Sequence, residues 1–177
     1  KVVPKGEVSF GLGISSITLS EENVVVYAAS ETLEKIKEVG YIPIEIDVTD
    51  LKQDREYKME IPTPVGAKSL STNTVTVKLN VEESTNKDFE NIAIETRNLP
   101  NGYLVQGVSE NDTRVTVTVK GVKSVIDSLQ ASEIHAFVDL SNYKEGTYKV
   151  DVQVEGTDAK AQYTSKIKQV EVKISKK

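Results

Sequence analysis

One stretch of this chain is written twice. Residues 42–51 read Ile-Pro-Ile-Glu-Ile-Asp-Val-Thr-Asp-Leu, and residues 134–143 read Ile-His-Ala-Phe-Val-Asp-Leu-Ser-Asn-Tyr. At an offset of 92, Ile42 meets Ile134, Ile44 meets Ala136, Ile46 meets Val138 and Asp47 meets Asp139. Thr49 and Asp50 then meet Ser141 and Asn142. With small gaps, Tyr57-Lys58-Met59 falls on Tyr148-Lys149-Val150, and Val75–Leu79 falls on Val170–Ile174. Solenoid units run about 20 to 50 residues, so a repeat of this length is a whole small domain in tandem. The reading is two domains, 1–84 and 85–177, each long enough to bury its own core. The first strand of domain one falls at or before Lys1, so that strand is expected to be truncated.

Composition narrows the class. Hydrophobic residues at 38% and charged residues at 28% suit a folded chain rather than a disordered one. Aromatics are only 6% and Trp is absent, so Val, Ile and Leu must build the interior. The net charge is −5, and Lys and Glu alternate without a basic block. Arginine occurs only at Arg55, Arg97 and Arg114. Nucleic acid needs clustered Lys and Arg, so no nucleic-acid partner is expected, and attachment to an anionic membrane through these residues is disfavoured. With no cysteine, disulfides, thiolate catalysis and Cys-type zinc sites are excluded, while the compartment stays open. No apolar run approaches about 18 residues, and no signal peptide is visible. The chain starts at Lys1 rather than Met and reads as a piece of a longer protein, with any anchor outside it.

Periodicity assigns the elements. Val24–Tyr27 and Val115–Val119 are β-branched and read as strands, the second with Val115, Val117 and Val119 on one face. A short helix follows each. Ser30 is the expected N-cap of the first, Leu33, Ile36 and Val39 its apolar edge, and Gly40 its left-handed C-terminal cap. The second follows Gly121 and carries Val122, Val125, Ile126 and Leu129 at i, i+3, i+4 and i+7. Ile42–Val48 is a half-buried strand, with Pro43 at an edge or at its first residues. Further strands are expected at Tyr57–Ile61, Val75–Val81, Ile92–Glu95, Tyr148–Val154 and Val170–Ile174, and Val2-Val3 reads as a strand remnant. Leu99-Pro100-Asn101-Gly102 is a turn. The polar run Glu82–Asp88 is read as the domain boundary. The expected fold is mainly β with one short helix per domain, a β-rich α+β class, in two tandem domains arranged end to end and elongated.

The order of these motifs resembles the YbbR domain family. Domain two carries Val117-Thr118-Val119-Lys120-Gly121, then Val125, Ile126 and Leu129, then Val138-Asp139-Leu140-Ser141, then Gly146-Thr147-Tyr148-Lys149-Val150-Asp151-Val152. These fit the family's V-x-V-x-G strand exit, helix, V-D-L-S turn and G-x-Y-x-V-x-V strand. Domain one departs from it: Ala29 stands at the strand-exit glycine, Val48-Thr49 replaces Leu-Ser, and Asp54-Arg55-Glu56-Tyr57 lacks the glycine. The offset match to domain two carries its assignment, and the resemblance covers nearly the whole chain. It implies the extracytoplasmic part of a membrane-anchored regulator in Gram-positive bacteria. The implied partner is the membrane diadenylate cyclase CdaA, reached through a membrane helix outside these residues, with cyclic di-AMP as the signal and a cell-envelope ligand or protein as a possible further partner. The fold also resembles part of a ribosomal protein family, and the acidic charge argues against carrying RNA binding over.

Residues with catalytic chemistry do not converge in the sequence. His135 is the only histidine and lies on the polar side of its strand alternation, so it reads as a surface strand residue. Asp47 and Asp139 each precede a small polar pair at a strand exit, which is turn chemistry rather than a carboxylate dyad. Gly11, Gly13, Gly102 and Gly107 fit no phosphate-binding pattern, and Gly11-Leu12-Gly13 reads as a bend or bulge. Asn111-Asp112-Thr113 is a formal glycosylation sequon, idle in a bacterium. The seven tyrosines are scattered singly and read as packing residues. No catalytic, cofactor-binding or metal-ligating residue is assigned, and no cofactor is expected. The expected function is a non-enzymatic regulatory and interaction module. The rivals are a passive surface stalk or adhesion module, and an enzyme acting on cell-wall precursors.

Overall fold

Where branched aliphatic residues alternate with polar ones, this chain is extended, because that alternation gives each strand one buried face. The computed structural model describes residues 1–177. They form two compact units, Lys1–Ser84 and Thr85–Lys177.

The first unit runs β1 (Val2–Lys5), β2 (Leu12–Leu19), β3 (Val26–Ala28), α1 (Ser30–Val39), β4 (Ile44–Asp47), β5 (Arg55–Glu60), β6 (Ala67–Leu70) and the start of β7 (Thr74–Arg97). β2 and β5 flank β7 as antiparallel neighbours, β1 and β4 pair in parallel, and β3 pairs with β6. Its core collects Ile14, Ile44, Ile46, Val48, Leu51, Val75, Val77 and Leu79. β4 is buried at Ile44 and Ile46 and exposed at Glu45 and Asp47, the period of two expected from its sequence.

The second unit takes the rest of β7, then β8 (Tyr103–Gly107), β9 (Arg114–Val122), α2 (Lys123–Ser128), β10 (Ile134–Asp139), β11 (Gly146–Asp151), β12 (Gln153–Gly156), β13 (Gln162–Ser165) and β14 (Gln169–Lys176). One sheet has the order β12-β10-β7-β9-β13, and the other has β11-β14-β8. Two aliphatic clusters result. One joins Phe89, Ile92, Val117, Val125, Ile126 and Ala136, and the other joins Val138, Leu140, Val150, Val170, Val172 and Ile174. Val117, Val119, Ala136 and Leu140 are wholly sequestered. At about 1.5–3 kcal/mol per buried aliphatic side chain, such residues carry most of the fold's stabilisation.

The strand registers repeat with the sequence. Val2 to Lys5 lie opposite Ile44 to Asp47, and Ile94 to Arg97 lie opposite Ala136 to Asp139. Every residue of the second set stands 92 places after its counterpart in the first. The closing strands agree as well, since Tyr57 faces Val77 and Tyr148 faces Val172. Val2-Val3 is thus a working strand, and Pro43 sits one residue ahead of β4, where its missing N–H costs no ladder bond.

The polar run Glu82–Asp88, read as the domain boundary, is extended, because β7 continues through it; three expectations change elsewhere. Glu82 and Glu83 pair with Gly13 and Leu12, and a strand with two exposed faces needs no apolar side chains. Ser30 is the first helical residue rather than the cap. Ala29, at φ −66° and ψ 152°, holds that place and has no side chain to bond an orphan amide. α1 carries no fully buried residue: Leu33 and Ile36 are half-buried and Val39 is 60% exposed, so its expected apolar edge is only partly covered. Finally, Tyr148–Val154 is two strands, because the chain changes sheets at Val152, whose amide donates to the Lys168 carbonyl. Gly40 does form the left-handed cap, at φ 79°. Gly11 also takes a positive φ, with the β2 bulge a little further on, between Ile14 and Ser16.

Two glycines make a controlled comparison. A Cβ at Gly156 would collide with the Tyr163 ring, which is pinned by its hydroxyl donating to the Asp158 carbonyl at 3.1 Å. A Cβ at Gly121 would meet only ordinary contacts, the nearest Ile126 Cγ1 at 3.6 Å. Gly156→Ala is expected to cost roughly 1–3 kcal/mol in urea unfolding, as overpacking does, and Gly121→Ala to stay near neutral.

Candidate functional site

A concave surface lies in the first unit, beside α1. A cavity of about 360 Å³ opens between the C-terminal turn of α1, the segment Glu21–Val24 and the start of β4. Its walls are aliphatic: Leu19, Val24, Val26, Ile36, Ile42, Ile44, Ile61 and Val75. Lys1, Glu21, Glu22 and Lys37 also line it. The cavity exists because β3, β6 and α1 form a lobe of their own. Val26, Leu33, Ile36 and Leu70 all lie outside the aliphatic cluster of this unit. Chemically this is a groove that can hold an apolar chain. It presents no nucleophile beside a base.

The net charge is unevenly shared. Lys1–Ser84 holds nine Lys and Arg against fourteen Asp and Glu, whereas Thr85–Lys177 holds thirteen of each. The whole −5 therefore belongs to the first unit, which disfavours an anionic ligand in its groove.

In the second unit the outward face of β7, β10 and β12 carries a closed ionic network. Arg97 Nη2 bonds Glu155 Oε1 at 2.7 Å and stands 3.8 Å from Glu95. Its guanidinium also lies 3.6 Å above the Phe137 ring. His135 Nδ1 is 3.5 Å from Glu95 Oε1, with its side chain 39% exposed. His135 is thus a strand-surface residue beside a carboxylate, and the cation of the cluster is already engaged. No three Asp, Glu, His or Cys side chains stand in an arrangement that could hold a metal ion.

Asp47 and Asp139 are brought to equivalent strand exits. Asp47 Oδ1 accepts from the Thr49 amide at 2.9 Å, and Asp139 Oδ1 accepts from the Ser141 amide at 2.8 Å. The Thr49 hydroxyl and amide hold the Asp47 carboxyl below its usual range, and the Ser141 amide and hydroxyl, with Asn98, do the same for Asp139. The facing residue differs between the units. Asn98, at φ 58°, donates from Nδ2 to Asp139 Oδ2 at 2.9 Å. Its counterpart is Gly6, at φ 84°, where a Cβ would collide with Thr49. Both positions need a left-handed backbone, and Gly and Asn are the residues that adopt it most readily.

The remaining sequence features sort quickly. Gly102 has φ 89° in the Asn101-Gly102 turn. Gly107 packs against Thr113, and Asn111 lies in a single 3-10 turn, Glu110–Asp112. Tyr143 and Tyr148 meet edge to face at 5.0 Å, and burial pushes the Tyr163 phenol up to about 12. The groove escaped sequence reasoning because α1 has the same amphipathic spacing as a docked helix. Its one sequence signal is Pro62 and Pro64, which stand where the second unit has β12.

Asp47, Asp88, Asp112, Asp127 and Asp139 are all held below the ordinary carboxyl range, mainly by hydrogen bonds. A carboxyl lowered in the folded state contributes stability above its unfolded value, near about 4, and that contribution is lost as pH falls through the folded value. Thermal unfolding is therefore expected at progressively lower temperature below about pH 4. Asp47→Asn, which keeps the Oδ1 acceptor but cannot ionise, is expected to flatten that slope.

The protein-family model described as YbbR-like protein matches residues 1–79 and 92–174. The CdaA regulatory protein CdaR of Bacillus subtilis is 26% identical over 156 residues, which is 88% of this chain and 32% of that protein. The chain thus spans about a third of the length of this curated relative. A solved YbbR-like domain from Listeria monocytogenes is 26% identical with a TM-score of 0.46, covering 52% of this chain and 95% of that one. A YbbR-like protein from Streptococcus pneumoniae is 16% identical with a TM-score of 0.38, covering 99% and 90%.

Proposed function

The chain belongs to the YbbR-like family, and on that premise we propose that it is a non-enzymatic regulatory and interaction module of a membrane-anchored, CdaR-like protein. In this reading the full protein modulates the membrane diadenylate cyclase CdaA and so the level of cyclic di-AMP. The observation that carries it is the likeness to the CdaA regulatory protein, which extends over 88% of the chain and therefore takes in both units.

The module works outside the cytoplasm, and the contact with the cyclase is made through a membrane helix beyond these residues. Neither helix of the two units is long and apolar enough to cross a membrane. Two physical features support an interaction role over a catalytic one. The groove walls are largely aliphatic, and Arg97, Asp47 and Asp139 are engaged with a carboxylate or with turns. Regulation of this kind requires an envelope partner that binds two states of the assembly with different affinity, since equal affinity shifts nothing.

The test is cyclic di-AMP measured in cells carrying the full-length protein, with or without residues 1–177. Removing both units is expected to change the nucleotide level or its response to cell-envelope stress. Identical levels under every envelope condition would reject the regulatory reading and leave a passive stalk.

A further inference from the structure

The open groove of the first unit has a filled counterpart in the second. There, β7 lies between β10 and β9 and sends Phe89 and Ile92 into the cluster that also holds Val117, Ile126, Ile134 and Ala136. In the first unit β1 carries only the counterparts of Ile94–Arg97. It pairs with β4 and does not pair with β3, so β3 and β4 fall in separate two-stranded sheets. The ladder register matches Ile44 to Ala136, and the 92-residue offset matches Ile42 to Ile134. Val26, Ile42 and Ile44 all line the groove. Ile134 and Ala136 thus share a core with Phe89 and Ile92, whereas their counterparts Ile42 and Ile44 form part of a groove wall. The helices follow suit, since α2 buries Val125 and Ile126 while α1 fully buries no residue.

We propose that this groove is the seat of an extended segment of the same polypeptide N-terminal to Lys1, running on from β1 and pairing with the free edge of β3. Lys1 itself lines the groove, so any polypeptide joined to it enters that space directly. The β-ladder of such a segment satisfies the unpaired edge of β3, and apolar side chains at the positions of Phe89 and Ile92 fill the cavity. The sheet order then becomes β4, the extended β1, β3 and β6, the counterpart of β10-β7-β9-β13. Filling the groove also covers Ile36, the α1 side chain that lines it.

The experiment compares three chains by hydrogen exchange and thermal unfolding. One is residues 1–177. One is extended by about ten of the protein's own preceding residues, the length of one strand. One carries a copy of Thr85–Ile92 placed ahead of Lys1. Both extensions are expected to slow exchange at Val26–Ala28 and Leu33–Val39 by at least about tenfold and to raise the unfolding temperature. Phe89→Asp within the copied segment should abolish that gain while the original second unit stays intact. Unchanged exchange in the naturally extended chain overturns the proposal. So does protection that appears in residues 1–177 only as concentration rises, because the occupant is then a second copy of the chain.

Discussion

Each unit closes on one parallel pair of strands whose partners are far apart in the chain, Val2 with Ile44 and Ile94 with Ala136. A parallel pair cannot be joined by a tight turn, so a long connection must leave the sheet and return. That connection is where the unit keeps its other parts: a strand that joins the antiparallel sheet, the valine-rich strand and the short helix. The closure entropy of so long a loop must be offset by aliphatic burial at the junction. Ile44, Ile46 and Val48 supply it in the first unit, and Ala136, Val138 and Leu140 in the second. With no tryptophan and few phenylalanines, the interior is made of branched aliphatic side chains, which is why strand alternation is so plain in the sequence.

That plainness made the architecture legible. The duplicated stretch identified the closing strand, and the shared register of the parallel pairs is its structural form. The turn chemistry of Asp47 and Asp139 was also readable, since a carboxylate bonded to an amide two residues ahead is a local matter. Long-range context was harder to read. The polar run Glu82–Asp88 lacks apolar residues and yet is extended, because a strand exposed on both faces obeys no hydrophobic pattern. The break at Val152 lies within an uninterrupted alternation, and only the change of neighbouring strand reveals it.

The helices show the same limit from the other side. Leu33 and Ile36 have helical spacing as good as that of Val125 and Ile126, and both helices are in the fold. What separates them is whether a third element covers their apolar side. In the second unit Phe89 and Ile92 join α2 and β9 in one cluster, whereas the first unit keeps an aliphatic groove. Periodicity specifies which side of a helix seeks cover and is silent about what covers it. The ionic patch around Arg97 was similarly hidden, since Glu95, Arg97, His135, Phe137 and Glu155 come together only through strand pairing.

The strand exits add one consequence for how the two halves can diverge. Gly6 and Asn98 answer the same backbone demand, but each is matched to a different neighbour, Thr49 in one case and Asp139 in the other. Asparagine at Gly6 would strike Thr49, and glycine at Asn98 would forfeit the amide that Asp139 receives. The two halves thus reach one turn with different residues, and a chimera that places asparagine at Gly6 must also displace the Thr49 side chain.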